Sequence, residues 1–327
     1  MVKDFTMHIG WRQYLKQKFR RVPKHHVLGV SVDAESVSFC IVKREQDSIV
    51  LVDEETVTPE KWGEKLHTWL KEKNLLGIST CVCMSHSWYS ALQLDRPNVE
   101  NDEVHGALQW SVAEILGSDK AYVFDYVDLP VPLAGTNKVN VFALPRSVIA
   151  DVVSHIQSAD VTLKEITTAE LALCELMPSM ESATVLLTQE AGEEVVLNVV
   201  KDGNLYSSRR LKGFENIGSF SQEELEMGLL DNLGVQIQRS MDHFESQLRQ
   251  PPIRSVLFRL DSPHSSTLKM QLSQLIPAQI DQLISPIQVS DEIDVYRLNL
   301  VSLSAAFCAL VPQPIAPPTM STAGELK

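Results

Sequence analysis

HVLGVSVD (26–33) and SVSFCIVKR (36–44) open the regular part of the chain. Both runs are rich in β-branched and aromatic residues, and Ala34-Glu35 makes a tight polar break between them. This predicts a β-hairpin. SIVLVDEETV (48–57) predicts a third strand. Thr58-Pro59-Glu60 then predicts a helix start, with Thr58 as cap and Pro59 in the first turn. That helix runs to about Lys73 and buries Trp62, Leu66, Trp69 and Leu70. GISTCVCMS (77–85) follows as a strand.

The same order returns in the second half. ATVLLTQ (183–189), EEVVLNVVKDG (193–203) and NLYSSRRLKG (204–213) read as three hairpin-linked strands, with Asp202-Gly203 as a two-residue turn. Ser221 and Glu224 have capping-box spacing. A long helix is predicted from there to about Arg249, because Leu225, Leu229, Leu233, Ile237, Met241, Phe244 and Leu248 recur every three or four residues. Pro251-Pro252 stops it, and IRSVLFRL (253–260) is the next strand. Strand–strand–strand–helix–strand thus occurs twice, from about residues 27 and 183. The pattern is an internal duplication and predicts two α/β lobes.

Between the repeats lie a helix over Glu100–Gly117, burying Val104, Leu108, Val112 and Ile115, and strands VFDYVDLP (123–130) and KVNVFALP (138–145). A helix over Arg146–Ala159 follows. This is read as a small α+β insertion, about 87–160, within a first lobe spanning 27–180. The second lobe spans 181–311. Residues 312–327, rich in Pro and small side chains, read as a disordered tail.

Charge and composition narrow the function. The net charge is −13, so nucleic-acid binding by the whole chain is disfavoured. Residues 1–26 alone carry a net +6, which leaves −19 on the rest. Much of this basic arm fits a short amphipathic helix. Trp11, Lys16, Lys18, Phe19, Arg20 and Arg21 are its candidates for contact with an anionic membrane surface; a docked or solvated arm is the alternative. The longest apolar run, Leu300–Val311, is shorter than the ~20 residues of a spanning helix. The five cysteines read as reduced core residues, and Cys81 and Cys83 form a lone C-x-C with no second pair, so no metal site is expected. No histidine pair has ligand spacing. Trp88-Tyr89 and Trp110 are read as core or as lining a peptide groove.

Six strings, in order, resemble the PilM-like branch of the actin-fold superfamily, from type IV pilus assembly. They are VLGVSVDAESVSFCIV, VFDYVDL, EITTAELALCEL, VVLNVVKDGNLYSSRRLKG, VQIQRSMDHFESQL and NLVSLSAAFCALV. The resemblance covers about 27–311. It implies a two-lobed actin-like (ribonuclease H-like) α/β fold. Within the branch, the basic head and scarce glycines look most like proteins of mannose-sensitive haemagglutinin (MSHA) pili.

Actin-like ATPases hold ATP and Mg²⁺ between the lobes, gripped by two glycine-containing hairpins with an Asp each and by a Gly-Gly loop. Matched residue by residue, Ser31 or Asp33 falls at the first Asp, Asp33 or Glu35 at the turn Gly, and Ser36 at a hairpin Ser. Gln189 stands at the second Asp and Ala191 at its Gly, with Gly192 as the substitute in a longer turn. Arg259 and Leu260 replace Gly-Gly. The chain has only 14 glycines in 327 residues, where average usage of about 7% gives roughly 23. The resemblance therefore implies a vestigial site with no catalytic residue and no cofactor. Its expected role is a non-catalytic cytoplasmic scaffold, peripheral on the inner membrane, that docks the N-terminal segment of a single-pass PilN-like protein. The alternative is an ATP-dependent actin-like ATPase or switch. Third comes a GspL-like type II secretion component, ranked last because such proteins usually carry a spanning helix and this sequence ends at Lys327 without one.

Overall fold

Two five-stranded sheets of identical topology carry the molecule. The computed structural model describes residues 25–46, 48–117, 121–177, 181–289 and 298–310. The basic arm, apart from its last two residues, and the tail lie outside these.

The first sheet contains β1 (His26–Val32), β2 (Val37–Glu45), β3 (Ser48–Val57), β4 (Ser79–Met84) and β8 (Thr162–Thr168), in the order β3-β2-β1-β4-β8. β1, β2 and β3 form an antiparallel meander, while β4 and β8 are parallel to β1. The second sheet repeats this with β9 (Thr184–Thr188), β10 (Val195–Lys201), β11 (Asn204–Leu211), β12 (Ser255–Arg259) and β13 (Gln279–Gln282), ordered β11-β10-β9-β12-β13. The Asp202-Gly203 turn is as expected: both residues have positive φ (51° and 72°), which suits a type I′ turn.

Each sheet buries its faces on helices. In the first lobe, α1 (Trp62–Glu72) packs on α3 (Arg146–Ala159). A Cβ on Gly63 would lie 2.3 Å from His155 O, so only glycine permits this approach. Thr58 does not cap α1. The helix starts at Trp62 after Lys61 in the left-handed region, and Thr58 Oγ1 instead accepts from Lys65 Nζ at 2.6 Å. Burial of Trp62 against His155 sets where the helix begins, not the local cap signal. On the other face lies α7 (Leu300–Leu310), against β1 and β4 and beside α4 (Ala169–Leu176). Gly29 seats it: an added Cβ would lie 1.9 Å from Ser302 O and 2.3 Å from Ala306 N.

The long second-lobe helix starts on the expected capping box of Ser221 and Glu224. It then differs from expectation. A π-type turn, Leu225–Leu229, with Gly228 at φ +100°, precedes α5 (Leu230–Ser246). Of the seven periodic apolar residues six are buried, and Leu229 packs against the same core. α6 (Ser265–Leu275) completes the lobe beside α5.

Inside the first lobe, β5 (Ser90–Asp95), α2 (Val104–Leu116), β6 (Tyr122–Asp128) and β7 (Lys138–Pro145) form a separate three-stranded sheet with its own small core. The expected insertion ran from 87 to 160. Its last helix, α3, packs on α1 of the main lobe, so the separate unit spans 90–145. Ile115 is 53% exposed and Trp110 82% exposed, whereas Tyr89 is core. The periodicity of α2 thus overestimated its buried face.

Candidate functional site

A cleft of about 760 Å³ opens between the two sheets. Its first-lobe wall is the β1–β2 turn and the residues after β4. Its second-lobe wall is the β9–β10 loop, and the N-terminal end of α7 closes one side. Sequence reasoning placed seven vestigial positions here. Ser31, Asp33, Ser36, Gln189 and Ala191 do line the cleft. Arg259 and Leu260 do not. Leu260 is 8% exposed in the second-lobe core, and Arg259 donates to the carbonyl of Leu298.

The cleft is acidic. Among the described residues, its lining holds eight carboxyl groups (Asp33, Glu35, Glu54, Glu55, Glu170, Glu190, Glu193 and Glu194) and no lysine or arginine. A triphosphate placed here would meet like charge. The β9–β10 loop is braced from inside by a side chain. Gln189, 7% exposed, donates through Nε2 to Glu193 O and Phe214 O, both at 2.8 Å. Gly192, at φ +77°, supplies the left-handed residue that turns this loop. Ala191 is exposed beside it.

The lobes meet through acids. Asp33 from the first lobe faces Glu193 from the second. Ser85 Oγ lies 3.5 Å from Glu193 Oε1, and His86 Nε2 lies 3.9 Å from Glu193 Oε2. Burial pushes Glu193 up to about 8, helped by its hydrogen bond with Asp33 and by the charges of Asp33 and Glu190. Burial also opposes ionisation of Asp33, but hydrogen bonds from Glu193, Ser85 and the Glu35 and Ala34 backbone outweigh it, and the carboxyl stays below its usual value. Asp33 Oδ2 is buried without a hydrogen-bond partner, and a protonated Glu193 facing it is a donor that would satisfy it. Asp33 thus favours its ionised form and Glu193 its protonated form where the two lobes meet. Desolvation raises Glu190 to about 7, although Arg259 and the Leu300 N–H, which it accepts at 2.9 Å, pull the other way. Burial holds His86 low against the pull of Glu170. Beneath these, Tyr89 donates to the buried Glu170.

A second groove, about 550 Å³, runs between the inserted sheet and the second lobe. Strands β5 and β11 line it, and each is the edge strand of its sheet. Arg209, Arg210, Arg239 and His243 lie on the second-lobe side. The sequence offered Trp88, Tyr89 and Trp110 as core or as the lining of a peptide groove. Trp88 and Trp110 are not among the residues lining this one.

No protein-family model matches the sequence, and no curated protein does. Solved structures do. A chain of a PilM–PilN type IV pilus biogenesis complex matches over 88% of this chain and 99% of its own, with TM-score 0.62 and 15% identity. The fold is actin-like. The cytoplasmic domain of EpsL, an inner-membrane component of the type II secretion system of Vibrio cholerae, matches over 86% of this chain and 94% of its own, with TM-score 0.50 and 11% identity. The actin-like fold accounts for the duplicated sheets. Among the described residues, no helix is long and apolar enough to cross a membrane.

Proposed function

We propose that this chain is a non-catalytic scaffold of a type IV pilus assembly machine, acting at the cytoplasmic face of the inner membrane. We take it to be of the MSHA type and most like its biogenesis protein MshI. It docks the N-terminal segment of a PilN-like protein. The observation that carries the reading is the fold likeness to the PilM–PilN complex over nearly all of that chain. The cleft supports the non-catalytic part, since its carboxyl-rich lining opposes phosphate.

The groove between β5 and β11 is suited to the docked segment. Edge strands offer unpaired backbone N–H and C=O groups, so an extended peptide can add as a strand while its side chains fill pockets. The basic arm adds a second, electrostatic contact to anionic lipid at about 1 kcal/mol per basic residue near the surface.

Calorimetric titration of the chain with a synthetic N-terminal peptide of the candidate partner tests this. Saturable binding is expected, and Leu92→Asp in the groove weakens it at least about tenfold, a loss of ~1.4 kcal/mol. A folded chain that shows no saturable binding overturns the proposal.

The likeness to the EpsL cytoplasmic domain supports a second reading, a type II secretion component. A peptide from the corresponding secretion protein, titrated in parallel, separates the two.

A further inference from the structure

We propose that Cys81, Cys308 and Glu165 form a binding site for a thiophilic divalent cation of the zinc class, which clamps the C-terminal helix α7 onto the first sheet. The three residues come from three elements. Cys81 lies on β4, Glu165 is its cross-strand partner on β8, and Cys308 reaches them from α7. Two thiol sulfurs and a carboxylate oxygen lie within 4.8 Å of one another.

The spacing suits the cation. Zinc takes thiolate at ~2.3 Å and carboxylate oxygen at ~2.1 Å, so a tetrahedral angle puts sulfur and oxygen about 3.6 Å apart. Cys81 Sγ and Glu165 Oε1 are 3.6 Å apart. Two thiolates on one tetrahedral zinc stand about 3.8 Å apart, within reach of a small rotation of Cys308. The donor set is also selective. Paired thiolates favour zinc-class ions over the hard cations that prefer all-oxygen sites.

Simple packing accounts for part of this arrangement. Buried cysteines often serve as small apolar residues, and Cys40 and Cys174 fit that role. The carboxylate sets the third position apart. Cys81 already donates to this half-buried carboxylate, which adds an anionic oxygen donor to the two sulfurs on the seam between α7 and β4. Glu165 is half-buried, which leaves a route for the ion from solvent. Cys83, two residues along the same strand and in the same cluster, is one candidate for a fourth ligand; water is the other.

The site was not legible in sequence. Cys81 and Cys83 form a lone C-x-C, and the residue that completes a set is Cys308, brought in by the packing of α7 over Gly29. A bound ion would tie α7 down on the sheet. The first residues of α7 line the acidic cleft, so the clamp would also steady that wall.

The test uses the full chain, stripped with a chelator and then titrated with Zn²⁺ alone, or with Co²⁺ as a spectroscopic stand-in. We expect about one equivalent of zinc bound, and Co²⁺ giving both a thiolate-to-cobalt charge-transfer band and tetrahedral d–d bands. C81S and C308S lose affinity at least about a hundredfold, E165Q loses about tenfold or more, and C40S is unchanged. Circular dichroism confirms that each variant is folded. Absence of the thiolate band in the unmutated chain overturns the proposal, whatever the variants do. Binding that survives both C81S and C308S overturns it equally. Peptide docking is measured separately, so failure of the metal site leaves that reading intact.

Discussion

The raised Glu193 carboxyl, facing Asp33 across the lobes, makes a quantitative prediction for Glu193→Gln. Glu193 sits at about 8 in the folded chain, against 4.5 for a free glutamate. Folding then costs nothing extra below the unfolded value, where the group is protonated in both states. As pH rises past 4.5 the unfolded chain ionises first, and stability falls until the folded group ionises near 8. The full shift corresponds to an upper bound of about 5 kcal/mol above pH 8 and about 3 kcal/mol at pH 7. Glu193 keeps contact with solvent, and its titration is linked to that of Asp33, so screening leaves ~1–2 kcal/mol. The introduced glutamine replaces the carboxyl proton with an amide N–H that can donate to Asp33 while its oxygen accepts from Ser85. The variant should therefore be more stable than the parent at neutral pH. Its advantage grows by up to about 1 kcal/mol between about pH 7 and pH 8.5. That window lies above the lowered His86 and below the raised buried thiols, and Glu190, at about 7, completes its ionisation there in parent and variant alike. Thermal unfolding at both pH values reads the gain as a Tm rise of about 2–4 °C per kcal/mol for a lobe of this size. If Glu193→Gln shows no gain at pH 8.5, or the same slope as the parent, the pairing of a protonated Glu193 with Asp33 is wrong.

Other outcomes follow from single residues. Gly29→Ala drives a Cβ into the α7 backbone, and chemical denaturation should show a loss of about 3 kcal/mol or more. Leu186→Ala, at a fully buried position on β9, should lose about 2–5 kcal/mol by the same assay. Millimolar Mg-ATP should leave the melting temperature unchanged; a rise would revive the ATPase reading. Deleting residues 1–22 should abolish co-sedimentation with anionic vesicles, and unchanged binding would exclude the arm as a membrane contact.

Local signals suffice where neighbours in sequence decide the structure. The Asp202-Gly203 turn, the capping box at Ser221 and the repeated meander all depend on a few adjacent residues. Helix ends were read less well. Thr58 lost its capping role because Trp62 and Gly63 dock on α3, and the π turn at Leu225–Leu229 interrupts a pattern that looked continuous. The packing role of Gly29 was invisible, since its contacts come from residues 302 to 306.

The cleft divides in the same way. Sequence placed Asp33 and Gln189 at one site through a resemblance, and the structure brings both to the cleft wall. It could not show that Asp33 would face Glu193, because the pair lies 160 residues apart and meets only when the lobes close. By itself the sequence determined the duplicated α/β lobes, their hairpins and the surplus of acid, because hydrophobic period, turn chemistry and charge are carried by near neighbours. Only the tertiary structure decided which acids face each other across the lobes, which glycine admits α7 and which thiols meet Glu165. Those are contacts between distant segments, and burial changes their chemistry only after the chain has folded.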